Sequence, residues 1–114
     1  MASILIRGGR ILDGTGAPGY TADLLVEDGR IAAIGDLAGK TADRVLDAAG
    51  LAVAPGFIDT HSHSDLDVLL RPQVLPKVMQ GITTELLGQD GVSMAPLPVE
   101  YISPWRKNLA GLDG

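Results

Sequence analysis

The chain has two histidines, and they stand two positions apart, His61 and His63, shortly after the apolar pair Phe57-Ile58. In extended backbone, residues i and i+2 face the same side, so His-Ser-His aims both imidazoles at one point. Asp59 lies two residues ahead and shares that face, while Asp65 and Asp67 follow in the loop. Neutral imidazoles beside a carboxylate suit a borderline divalent cation such as zinc, held at about 2.0–2.2 Å per ligand. The residues alone leave a second reading open: two histidines of a polar loop that hydrogen-bond carboxylates. Either way, the fold must carry a short strand that stops near His61 and opens into a polar cluster.

The surrounding sequence predicts how that strand is framed. Pro55-Gly56 punctuates the chain. Before it, Ile4 to Arg7, a Gly8-Gly9 turn and Arg10 to Asp13 read as two short strands, followed by a loop over residues 14–19. Ala22 to Val26 and Arg30 to Ile34 flank Glu27-Asp28-Gly29, a hairpin signal because Asp-Gly accommodates positive φ. Val45 to Asp47 and Leu51 to Ala54 read as a further pair around Ala48-Ala49-Gly50. The first part is therefore expected to be a meander of about five or six β segments, none long enough to be stable alone.

After Pro55-Gly56 the pattern changes. Phe57 to His61 reads as a buried strand, Pro76 to Gln80 as a short helix stopped by Gly81, and Gly81 to Leu87 as a second strand. Strand, helix, strand with polar residues at both strand ends is one βαβ unit of a parallel sheet. Ends of adjacent parallel strands lie about 4.8 Å apart, so Asp90, in Gly88-Gln89-Asp90-Gly91, falls within reach of His61 and His63. An ordinary Asp-Gly turn is the plainer alternative. Beyond Ser93, three prolines make the tail mostly loop until a helix from Pro104 to Leu112. Glu85 reads as a structural strand residue, and Trp105 with Arg106 and Lys107 as the start of an amphipathic helix. Gly8-Gly9 and Gly14-x-Gly16 match no phosphate loop, and no Ser/His/Asp triad is supported.

Charge and composition narrow the function. With 9 Lys+Arg against 14 Asp+Glu, the net charge of −5 argues against nucleic acid and against an anionic membrane surface. No run approaches the roughly 18 apolar residues of a membrane span. The N-terminal apolar stretch precedes its positive charge, the reverse of a secretory signal. With 0 cysteines there is neither a disulfide framework nor a thiolate zinc site. A soluble cytoplasmic protein is expected.

The β segments leading into Ala54-Pro55-Gly56-Phe57-Ile58-Asp59-Thr60-His61-Ser62-His63 resemble the N-terminus of the amidohydrolase superfamily. Ser64-Asp65-Leu66, then Gly81-Ile82-Thr83-Thr84, then Gly88 to Pro96 are similar to its D-aminoacylase branch, the N-acyl-D-amino-acid deacylases. The resemblance implies an α/β chain with a β-rich N-terminus. Residues 1–54 would be strands of a small β-sandwich, and residues 55–114 the first strands and helix of a metal-dependent TIM-type barrel. It implies His61 and His63 as ligands of zinc or another divalent metal, and metal-assisted hydrolysis of N-acyl-D-amino acids. Many branch members carry a ligating cysteine in Gly-Asn-Cys-Gly where this chain has Gly88-Gln89-Asp90-Gly91, so Asp90 is expected as a harder replacement ligand. The general-base aspartate belongs to a later barrel strand, outside these residues. Cyclic amides of the hydantoin or dihydropyrimidine type are an alternative substrate class, and a non-catalytic scaffold subunit an alternative role.

A (β/α)8 barrel takes roughly 200 residues at the least, so 114 residues cannot close one. The expectation is a hetero-oligomer in which another polypeptide supplies the remaining strands and the catalytic base. A segment of a longer chain and a non-catalytic relic are the other two readings.

Overall fold

The computed structural model describes residues 2–66, 68, 71–93 and 96–110. They fall into two compact units, Met1–Pro55 and Gly56–Gly114.

The first unit is one five-stranded sheet built from β1 (Ile4–Ile11), β2 (Tyr20–Glu27), β3 (Arg30–Gly35), β4 (Arg44–Asp47) and β5 (Ala52–Val53). β2 and β3 form the expected hairpin. Its turn residues Asp28 and Gly29 take φ of 51° and 73°, the positive values that match a tight turn to strand twist. Antiparallel β1 continues the sheet, running from Ile4↔Val26 to Ile11↔Tyr20. Leu5, Ile11, Leu24, Leu25 and Ala48 are its buried apolar residues.

Two expectations change here. Gly8-Gly9 is not a turn, because β1 runs straight through it and bulges between Ile6 and Gly9. Gly8 sits at φ 65° and its N–H donates to Asp23 Oδ1 at 2.8 Å. Asp23 also meets Arg7 at 3.5 Å, so its carboxylate fills the ladder position that the bulge empties. Gly9 is glycine for a different reason: a Cβ there would lie 2.4 Å from Val53 Cγ2. Nor do residues 45–47 and 51–54 pair with each other. β4 and β5 lie end to end along the free edge of β1, both parallel to it (Ile4↔Arg44 to Arg7↔Asp47, then Arg10↔Ala52 and Ile11↔Val53). Ala48 N–H to Arg7 O at 2.8 Å and Arg10 N–H to Leu51 O at 2.9 Å carry the ladder across the join. The meander thus ends at β3. Among the described residues of this unit there is no second sheet, as a sandwich needs.

The second unit begins with β6 (Phe57–Asp59), α1 (Leu75–Val78) and β7 (Ile82–Glu85). β6 and β7 are parallel neighbours, with Asp59 opposite Glu85, which is the expected strand–helix–strand arrangement. Pro76 sits in the first turn of α1, where its missing N–H costs nothing. Gly81 takes φ 81° and turns the chain into β7. Gly56 lets the two strands approach, since a Cβ on it would lie 2.7 Å from Thr83 Cβ. β6 is not the buried strand expected: Phe57 and Ile58 are 64% and 66% exposed. A two-stranded sheet offers no second neighbour to cover them. In the tail, α2 spans Ile102–Leu109 and starts ahead of Pro104, which occupies its first turn. Trp105 is half-buried, and Arg106 and Lys107 are exposed. Leu112 lies outside the described residues. No helix among the described residues is long and apolar enough to cross a membrane.

Candidate metal centre

β6 and β7 end side by side, and the loops that leave them carry the three expected residues to one place. His61 Nε2 lies 2.8 Å and His63 Nε2 3.5 Å from Asp90 Oδ2. The imidazoles are edge-on, with centroids 5.6 Å apart. One donor atom from each residue falls within 4.8 Å of the others. Asp90 is delivered by a tight hook, Gln89–Gly91, in which Asp90 itself has φ 54° and ψ 27°. Aspartate tolerates this left-handed backbone better than most residues, and Gly88 and Gly91 beside it have φ of 80° and 79°. The Gln89 side-chain amide donates to Thr60 O at 3.4 Å and Leu86 O at 3.3 Å, which fastens the hook to the exits of both strands. All three donor side chains are open to solvent. Two imidazole nitrogens and a carboxylate oxygen, with no cationic side chain among them, are a donor set that fits a divalent cation. The His61 ring, and His63 after it, hold the Asp90 carboxyl below its ordinary value.

Asp59 does not join this cluster. Its Oδ1 accepts the His61 backbone N–H at 3.1 Å and its Oδ2 accepts from Lys77, so it braces the loop from behind. Asp65 stays apart as well: it is 3% exposed, and its oxygens have no hydrogen-bond partner among the described residues. Asp67 lies outside the described residues.

A second polar layer backs the histidines, and sequence reasoning missed it. Glu85 Oε1 accepts from the Ser62 hydroxyl at 2.7 Å and the Ser64 hydroxyl at 2.9 Å, and lies 3.1 Å from Lys77 Nζ. Lys77 also donates to Ser62 Oγ at 3.3 Å. The alternation that points His61 and His63 one way points Ser62 and Ser64 the other; that signal was readable. Lys77 had none, because its role depends on α1 crossing between β6 and β7. Its ammonium is held above the ordinary value of 10.5, chiefly by the hydrogen bond to Asp59 and then by Glu85.

These shifts fix a pH dependence. Asp59 is lowered chiefly by Lys77 and Glu85 chiefly by the Ser62 hydroxyl. A depressed carboxylate stabilises the fold above its unfolded value and loses that contribution as pH falls through the folded one. The raised Lys77 contributes below its unfolded value and loses the contribution as pH climbs through the raised one. These three groups are therefore expected to contribute constantly from about pH 5 to about pH 10, and the second unit to weaken below about pH 4 and above about pH 11. Glu85, the least exposed of the three, carries most of the acid limb, and Glu85→Gln should flatten it. A melting temperature that stays constant down to about pH 2 would contradict this assignment.

Comparison with known proteins places the chain. Residues 44–112 match the amidohydrolase family model. The chain is 51% identical over 110 residues to the N-acyl-D-aspartate deacylase of Alcaligenes xylosoxydans xylosoxydans, which covers 90% of this chain and 22% of that protein. The crystal structure of N-acyl-D-glutamate deacylase from Bordetella bronchiseptica, complexed with zinc and a phosphonate mimic of the tetrahedral intermediate, superposes with a TM-score of 0.82. That match is 52% identical and covers 87% of this chain and 21% of that one. A D-aminoacylase crystal structure matches with a TM-score of 0.78 and 46% identity, covering 85% and 20%. The chain thus spans about a fifth of the length of these relatives. With β6 leading into His-Ser-His and more than half the sequence matched by the family model, this chain belongs to the amidohydrolase family.

Proposed function

We propose that this chain supplies the first metal ligands of a deacylase that hydrolyses the amide bond of N-acyl-D-amino acids. The observation that carries the proposal is the convergence of His61, His63 and Asp90 at the ends of two parallel strands. The relatives support the substrate class, since three that match 82–90% of this chain are an N-acyl-D-aspartate deacylase, a D-aminoacylase and an N-acyl-D-glutamate deacylase. His61 and His63 would hold a cation through imidazole nitrogens, and Asp90 through a carboxylate oxygen. When bound, that cation supplies Lewis acidity and a water acidified toward a pKa of ~7.

The chain's own contribution is orientation and charge. Two neutral donors leave a dication's charge intact, and the Asp90 carboxylate offsets part of it. The serine–glutamate–lysine layer fixes the loop behind the ligands. Substrate contacts and the general base are assigned to barrel strands beyond these residues. Those strands would cover Phe57 and Ile58, and a second sheet would cover exposed residues of the first unit such as Ile31 and Leu51. A longer polypeptide or a partner subunit would supply them.

The test joins metal content to activity. Asp90→Asn is expected to weaken zinc binding by roughly 10-fold or more, since losing a ligand charge should cost at least what loss of an outer-shell partner does. Competition against a chromogenic chelator measures it, and unchanged zinc affinity would remove Asp90 from the ligand set. In the completed enzyme, N-acetyl-D-amino acids should be hydrolysed in preference to their L-forms and to hydantoins. Ring opening of hydantoins without deacylation would move the assignment to cyclic amides.

A further inference from the structure

We propose that Glu85, charge-paired with Lys77, is the positioning residue that fixes the separation and direction of the two imidazoles. The inference rests on the metal-site reading above and adds to it residues that contact no ligand position.

The geometry concentrates on one atom. Glu85 Oε1 takes the hydroxyl of Ser62, the hydroxyl of Ser64 and the ammonium of Lys77, at 2.7, 2.9 and 3.1 Å. Ser62 stands between the two histidines and Ser64 directly after them, so the loop is pinned on both sides of His63. Ser62 is itself saturated: its Oγ donates to Glu85, accepts the Ser64 backbone N–H at 3.2 Å and accepts from Lys77. Its own N–H reaches Leu86 O at 3.3 Å. Asp59 completes the frame, joining Lys77 to the backbone N–H of His61. Thus α1 and β7 both hold the loop that leaves β6.

The imidazoles, by contrast, are roughly half exposed, at 57% and 44%. Exposed rings on a loop have rotamer freedom that binding a cation must remove, and that cost rises if the backbone beneath them also moves. A frame that fixes the backbone at Ser62 and Ser64 removes the larger part of that freedom beforehand. Outer partners of this kind typically change metal affinity by 10- to 100-fold.

Cobalt(II) binding to the 114-residue chain tests the idea, because its visible absorption reports ligand geometry and its titration gives affinity. Glu85→Ala is expected to lower cobalt affinity by about 10- to 100-fold and to change the absorption envelope. Glu85→Gln, which keeps an oxygen for both hydroxyls, should recover most of the affinity and the wild-type envelope. If Glu85→Ala does not fold, Ser62→Ala/Ser64→Ala keeps the Lys77–Glu85 pair and should show the same loss. A frame that serves stability alone would lower the melting temperature and leave the affinity and spectrum of the folded variants unchanged, which overturns the proposal. Wild-type protein that takes up no cobalt overturns the metal-site reading together with this inference. Wild-type uptake matched by every variant overturns the inference only.

Discussion

Replacing either His61 or His63 with alanine is expected to reduce zinc affinity by at least about 100-fold while leaving the melting temperature close to wild type. Both side chains are roughly half exposed, so truncation opens no closed cavity, and surface substitutions of this kind usually change stability little. The loss of a donor atom is another matter. Removing an outer partner of a ligand already costs 10- to 100-fold, and removing the ligand should cost more. His61→Ala carries a second consequence: the His61 ring is the main cause of the lowered Asp90 carboxyl, so Asp90 should titrate closer to its ordinary value of 3.8. Zinc titration, with a parallel melt to show the variants folded, measures the first effect, and a pH titration of the Asp90 carboxyl followed by carbon-13 NMR measures the second. Variants that bind zinc within about threefold of wild type would remove the histidines from the site.

A larger effect on stability is expected at a position that carries no side chain. Gly56→Ala places a Cβ 2.1 Å from Thr83 Oγ1 and 2.7 Å from Thr83 Cβ. Rotation about χ1 moves the hydroxyl and methyl aside but leaves the Cβ where it is, so β6 and β7 must part. Overpacking of this type costs roughly 1–3 kcal/mol, which for a small unit means a fall in melting temperature on the order of 10 °C. Because β6 leads to His61 and His63 and β7 leads to Asp90, zinc affinity should fall with it. The cause can be isolated by Thr83→Gly, which removes the three nearest atoms. The double variant should melt above the sum of the two single effects, the coupling expected of residues in contact. Strictly additive shifts would refute the steric account.

The residues that read correctly from sequence are those whose chemistry is local. Asp28-Gly29 predicts a hairpin because positive φ is a property of those two residues alone. His61 and His63 pair because extended backbone repeats every two positions, and Asp90 joins them because neighbouring parallel strands end together. Gly8-Gly9 misled for the converse reason. Glycine serves a turn, a bulge and a close approach equally well, and only Asp23 and Val53, far along the chain, decide which. β4 and β5 look like a hairpin until β1 offers both of them an edge. Lys77 was silent, since a lysine on a short helix gains its role only when α1 brings it between Asp59 and Glu85. Phe57 and Ile58 read as buried, and burying them calls for neighbours that two strands do not provide.

The placement of β1 has a practical side. β1 is the middle of its sheet, with β2 along one side and β4 and β5 along the other. Its start is clasped by Asp43, 40 positions later, through the Ser3 N–H at 2.7 Å and hydroxyl at 2.9 Å. A deletion that removes Leu5 would strip a partner from β2 and β4 together, so shortening belongs elsewhere.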